Sequence, residues 1–150
     1  MVKYAAINTF LWVDTTGSGS YSKVLGVQDI MLPKIKADLI DVTTQDETDF
    51  YHDFLSTLID SGEASFTLVL DPNEATQNET SGGLKWMLDN RTQRNMRFEF
   101  SYTSPVTRMR FVGIVTGFSG DAKVKGNLAA SVTIKAIKKT TLEVGTGSGM

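Results

Sequence analysis

Residues 120–141, GDAKVKGNLAASVTIKAIKKTT, open with a polar, glycine-bounded turn and continue into a strict two-residue alternation, the feature that most restricts the fold. Leu128, Ala130, Val132, Ile134 and Ala136 fall on one side, and Ala129, Ser131, Thr133 and Lys135 on the other. That is the period of an extended strand with one buried face. A chain that spends nine residues on such a strand needs neighbours to pair with it, and the remaining sequence supplies them.

Extended segments are predicted at 5–14, 23–32, 34–42, 64–71, 96–102 and 107–119. In 34–42, Ile35, Ala37 and Leu39 share one face, while the other begins with Lys34, Lys36 and Asp38 and ends in Ile40 and Val42. In 64–71, Phe66, Leu68 and Leu70 alternate inward, and Pro72 ends the run. In 96–102, Met96, Phe98, Phe100 and Tyr102 oppose Arg97, Glu99 and Ser101. Gly113 and Gly117 predict a bend or bulge in 107–119. One short helix is expected over 80–91, where Leu84, Met87 and Leu88 stand at i, i+3 and i+4 behind a Thr/Ser start. Gly82 and Gly83 place its beginning near themselves or mark a close approach to another backbone. Together these segments predict a mainly β chain, a β-sandwich or barrel of six to seven strands with one short flanking α-helix. Residues 1–144 are expected as one domain and the Gly/Ser-rich 145–150 as a flexible tail.

The segment 43–63, TTQDETDFYHDFLSTLIDSGE, is a long loop for so small a domain, acidic at its start and apolar in its middle. It reads either as a short amphipathic helix over 50–59 or as an arm that buries Phe50, Tyr51, Phe54 and Leu55 against a neighbour. Charge is divided along the chain: residues 1–75 carry 4 Lys/Arg against 12 Asp/Glu, a balance of 4 − 12 = −8, and residues 76–150 carry 11 against 5, or +6. Opposite charge on two surfaces of one subunit suits a head-to-tail contact between copies; a chance distribution over one globule is the alternative.

Residue types needed for catalysis are scarce. There is no cysteine, so disulfides, thiolate metal sites and thiol nucleophiles are excluded. The single histidine, His52, has no triad neighbourhood, and Asp46, Glu47, Asp49 and Asp53 lack the glycine and terminal glutamate of a calcium loop. The sequence GSGSYSK does not have the spacing of a phosphate-binding loop. No enzyme, metal site or cofactor is therefore expected, and no apolar run suggests a membrane partner. Arg97, Arg108 and Arg110 beside Phe98, Phe100 and Phe111 leave open a nucleic-acid platform, although those aromatics fall where alternation predicts core.

Taken in order, NTFLWV (8–13), DSGEASFTLVLDP (60–72), GGLKWMLDN (82–90), MRFEF (96–100) and RFVGIVTGFSGDAKVKGNLAASVTIKAIKKTT (110–141) resemble the major tail tube proteins of long-tailed, lambda-type bacteriophages over nearly the whole chain. The resemblance implies a β-sandwich with a flanking helix, a fold shared with type VI secretion tube proteins. It implies homohexameric rings stacked head to tail into a hollow conduit for genome ejection. Expected partners are further copies of the chain, the tape measure protein, the tail terminator and tail-tip or distal tail proteins. DNA passes without specific binding through a lumen that is net neutral or acidic, since a lumen of unpaired arginines would hold it by counterion release. Localisation would be the virion tail, after assembly in the bacterial cytoplasm. Many relatives carry an additional C-terminal immunoglobulin-like domain, and none is expected here.

The loop residues Asp46, Glu47, Asp49, Phe50, Tyr51 and Phe54 become the expected ring-to-ring contact, with Lys123, Lys125, Arg108 and Arg110 as its basic complement and Leu84, Met87 and Leu88 packing the helix. A type VI secretion-like tube protein and a monomeric carbohydrate- or nucleic-acid-binding β-sandwich are the alternatives.

Overall fold

The computed structural model describes residues 8–46, 48, 50–100, 106–122, 124 and 126–144. Ten strands and one helix follow in the order β1 (Thr9–Asp14), β2 (Tyr21–Lys23), β3 (Val27–Met31), β4 (Lys36–Asp41), β5 (Phe54–Asp60), β6 (Glu63–Val69), α1 (Leu84–Asn90), β7 (Gln93–Phe100), β8 (Thr107–Ala122), β9 (Leu128–Ala136) and β10 (Thr141–Val144). Eight strands form one antiparallel sheet in the order β2-β1-β7-β8-β9-β6-β3, with β10 also paired to β8; β4 and β5 form a separate hairpin. The expectation of six to seven strands is thus too low. Gly26, at φ 81°, divides the 23–32 segment, while β5 and β10 are not among the expected segments.

The organising element is β8, 16 residues long. Its first half pairs with β7 through 107–114, and its second half pairs with β9 through 113–122. The register against β9 shifts between Val115 and Gly117, a bulge that bends the strand where it passes from one set of partners to the other. Both sets bury their inward residues in one cluster: Leu11, Val13, Met96, Phe98 and Phe111 from one, and Phe66, Leu68, Val132 and Ile134 from the other. The buried Phe98 and Phe111 rings stack with centroids 5.5 Å apart, so neither offers a platform to nucleic acid. On β9, Ala130, Val132, Ile134 and Ala136 are buried as the alternation requires, and Leu128 at the strand's outer end is exposed.

Helix α1 lies on β8 with Leu84 and Met87 buried and Leu88 half-buried. No Thr or Ser side chain caps it. Instead the preceding turn folds back, and the first amides, of Leu84, Lys85 and Trp86, donate to the carbonyls of Thr76, Gln77 and Asn78. Gly83 permits that approach, because a Cβ there would press against the carbonyls of Asn78 and Ala75, while Gly82, at φ 91°, lies against Thr15 of the β1–β2 turn. Gln77, fully buried, locks the turn to the sheet: its Nε2 donates to the carbonyls of Leu25 (2.7 Å) and Val69 (3.1 Å), and its Oε1 accepts from the Asp71 amide (2.9 Å). Asp14, also buried, accepts the amides of Gly17 and Gly19 and so fixes the β1–β2 turn.

Two stability changes follow from these contacts. Gln77→Leu strands the two carbonyls and the amide, and denaturant unfolding should show a loss of about 2 kcal/mol. Arg91 ends α1 in the left-handed conformation at φ 51°. Arg91→Gly relieves that conformation and should raise stability by about 0.5–1 kcal/mol in the same assay.

Candidate functional site

The β4–β5 hairpin stands apart from the core. Pro33 is buried at the point where the chain leaves β3, and Gly62, at φ 74°, returns it to β6. A Cβ at Gly62 would collide with the Lys34 carbonyl, so the two ends of the hairpin can approach only over a glycine. Asp60 fastens this base: its Oδ1 lies 2.6 Å from Lys135 Nζ on β9 and accepts the Gly62 amide at 2.9 Å. The lysine hydrogen bond, then the Gly62 amide, hold the Asp60 carboxyl below its ordinary value.

Outward from that base the strand residues of the hairpin are exposed. Ala37–Ile59, Leu39–Ser56 and Asp41–Phe54 pair on one face, and Lys36–Asp60 and Ile40–Leu55 on the other. Between Ala37 and Leu39 the partner strand advances from Ile59 to Ser56, an extra residue that forms a bulge in β5. Both faces consequently carry large apolar side chains, and Leu58 and Ile59 are 76% and 70% exposed. Residues 54–60, expected as loop or as part of a helix, are strand, because the backbone groups of β4 are available to pair with them.

The tip beyond the strands is ordered by its own polar groups. Val42 N donates to Asp53 O (2.8 Å), Asp53 N to Thr43 Oγ1 (2.7 Å) and Thr43 N to Asp41 Oδ1 (2.9 Å). The Thr43 bonds lower the Asp41 pKa, with His52 Nδ1, 3.2 Å from Asp41 Oδ2, acting in the same direction. Phe50 takes the left-handed conformation, φ 63°, and is 95% exposed. A bulky residue in that region is strained, and such strain gathers at functional positions.

A second surface lies on the outer face of β1, β7, β8 and β10. Directly opposed residues form the rows Phe10–Glu99–Arg108–Glu143 and Trp12–Arg97–Arg110–Thr141. Arg108 is buried, with Nη2 3.0 Å and Nε 3.1 Å from Glu99 Oε1. Arg110 Nε is 2.6 Å from Glu143 Oε1, an ion pair bent away from hydrogen-bond alignment. Arg97 is 1% exposed beneath the rings of Tyr21 (4.5 Å) and Trp12 (5.5 Å), contacts in which the ring faces attract the cation. Burial pushes its pKa down, Glu99 opposes that, and Arg108 and Arg110 add to it.

Of the expected contact residues, Asp46, Phe50, Tyr51 and Phe54 all lie on the hairpin or its tip. Glu47, Asp49, Lys123 and Lys125 lie outside the described residues. Arg108, expected in the basic complement, is buried with its guanidinium against Glu99 inside the subunit, whereas Arg110 is partly exposed beside Glu143. Alternation places Leu39 and Ile40 on opposite faces of a strand but gives no sign that both are exposed. Leu58 and Ile59 could have been found as apolar residues without the polar alternation of a surface strand. Among the described residues no three His, Cys, Asp or Glu side chains group as metal ligands. Among them, too, no helix is long and apolar enough to cross a membrane.

A profile of the lambda phage tail tube protein family matches residues 11–143, and the chain therefore belongs to that family, as a structural subunit of the virion tail. No curated protein matches it by sequence. Solved structures share its fold at low identity. The tail of an empty gene transfer agent particle, refined with C6 symmetry, superposes with a TM-score of 0.74 at 11% identity, covering 94% of this chain and 99% of that one. A chain of the anti-feeding prophage baseplate, 6-fold symmetrised, gives 0.72 at 7%, covering 95% and 97%. The SPP1 tail tube gives 0.63 at 11%, covering 92% and 78%.

The depressed Asp60 pKa makes the hairpin anchor sensitive to acid. A carboxyl whose folded pKa is lowered stabilises above its unfolded value, here near 3.8, and that contribution disappears as pH falls through the folded pKa. Urea unfolding of wild type and Asp60→Asn should differ at neutral pH, and the difference should close as the pH is taken below 3.8.

Proposed function

We propose that six copies of this tail tube subunit close into a ring, and that rings stack head to tail into a conduit through which DNA leaves the particle for the host cell. The β4–β5 hairpin and its tip make the contact from one ring to the next. The observation that carries this reading is the hairpin itself: a two-stranded ribbon, apolar on both faces, is marginal in water unless something covers it. A neighbouring subunit does so in every ring of a stack.

The symmetry named for the gene transfer agent tail supports six-fold closure, and closed rings remove the free sheet edges that β2 and β3 present in a single subunit. Matching folds in a sheath/tube terminator assembly and in a tube-terminating cap support a terminator that seats on the last ring. A repeating heterologous contact has no internal stop, so a tape measure protein sets the length and distal tail proteins start the stack. The Arg108–Glu99 and Arg110–Glu143 pairs support passage of DNA without capture, because paired arginines release few counterions.

Electron microscopy of the concentrated protein, with its sedimentation profile, tests the reading. Wild type should form rings or hollow tubes. Leu58 is exposed in the single subunit. Leu58→Asp should therefore remain folded, with an unfolding free energy changed by no more than about 0.5 kcal/mol, the usual limit for a surface substitution. The same variant should form no tubes. Tubes of unchanged yield from Leu58→Asp would remove the hairpin from the contact.

A further inference from the structure

At the foot of the hairpin, where β5 ends and β9 runs into 137–140, a groove of about 650 Å³ opens. Ile35, Ile59 and Ile137 give it apolar walls, and Lys138 and Lys139 stand exposed at its lip. It is preformed by hydrogen bonds: Ser61 Oγ donates to Lys138 O (2.5 Å), Ala136 N to Gly62 O (3.0 Å) and Ile137 N to Val112 O (3.0 Å). Lys135, which also lines it, is already neutralised by Asp60, so the remaining positive charge sits on Lys138 and Lys139.

We infer that this groove receives the tip of another copy's hairpin, with Phe50 and Tyr51 entering between the isoleucines and Asp46 and Asp53 meeting Lys138 and Lys139. The pairing rests on the stacked-ring reading and deepens it by naming both halves of the contact. Three observations support it. The tip is aromatic and acidic, with no Lys or Arg between Asp41 and Asp53, and the groove is apolar and basic, so charge and hydrophobicity are complementary. The strained Phe50 backbone directs a wholly exposed ring outward at the end of the ribbon.

Finally, a chain cannot fill its own groove. The tip and the groove lie at opposite ends of β5, whose seven residues span roughly 20 Å. Every copy therefore gives one tip and accepts one, a heterologous contact that propagates. The contact draws on the negative first half of the chain for one side and on the positive second half for the lip, which accounts for the division of charge along the sequence.

Tyr51 replaced by the photo-cross-linking residue p-benzoylphenylalanine, co-assembled as a minority component into wild-type tubes and irradiated, tests the pairing. Mass spectrometry should map the link to the peptide containing residues 135–140 of a different copy. A link confined to any other peptide, in tubes that form normally, overturns the pairing and leaves the tube reading standing. Wild-type protein that never forms rings or tubes overturns both. As an independent arm, Lys138→Glu with Lys139→Glu should abolish tubes, and adding Asp46→Lys with Asp53→Lys should restore them. Assembly of the lysine double variant at the wild-type yield overturns the charge pairing.

Discussion

A two-stranded ribbon with apolar side chains on both faces cannot bury both within its own chain, and that constraint governs the rest of this protein. Leu39, Phe54 and Ile59 face one way, Ile40 and Leu55 the other, and at the hairpin's foot Asp60 meets Lys135 of the main sheet. The ribbon persists because its backbone groups are paired along its length and its tip is held by Asp41, Thr43 and Asp53. Its form is thus set locally, while its hydrophobic surface is left exposed in the single subunit. A subunit of this kind is incomplete alone, which suits a protein whose function is to be one repeat of a polymer.

The main sheet supplies the rigid body that such a ribbon needs. By passing from β7 to β9 around its bulge, β8 ties both sets of strands to one core, and α1 covers part of that strand. The opposite, charged face is closed differently. Glu99, Glu143 and two aromatic rings take up the arginines, so a surface that reads as basic in sequence is largely satisfied inside the subunit. Net attraction to a polyanion depends on unpaired cations, and this face offers few of them to DNA.

What could be read from sequence follows the regularity of the pattern. β9 is legible residue by residue because small and branched side chains alternate without interruption through nine positions. β5 is not: the bulge between Ile59 and Ser56 breaks its two-residue period, and Phe54, Leu55, Leu58 and Ile59 then fall at spacings that imitate a helical face. Arg97 also escapes, because alternation alone sends it to solvent while Trp12 and Tyr21, from strands far earlier in the chain, cover it. Gln77 gives no signal, since its three bonds join segments whose proximity only the fold creates. The family resemblance lies in the order of the strand motifs, and it leads to the hairpin region without revealing the hairpin's form.

If the ribbon's exposed apolar faces become interior on assembly, amide hydrogen exchange of residues 36–60, compared between dispersed subunits and sedimented assemblies, reads the change at the ribbon itself. Strong slowing of exchange across β4, β5 and the tip in assemblies, with the β8–β9 core already protected in both states, is the predicted result. Equal exchange of the hairpin in the two states would contradict the account, because its faces would then be as open to water in the tube as in the single subunit.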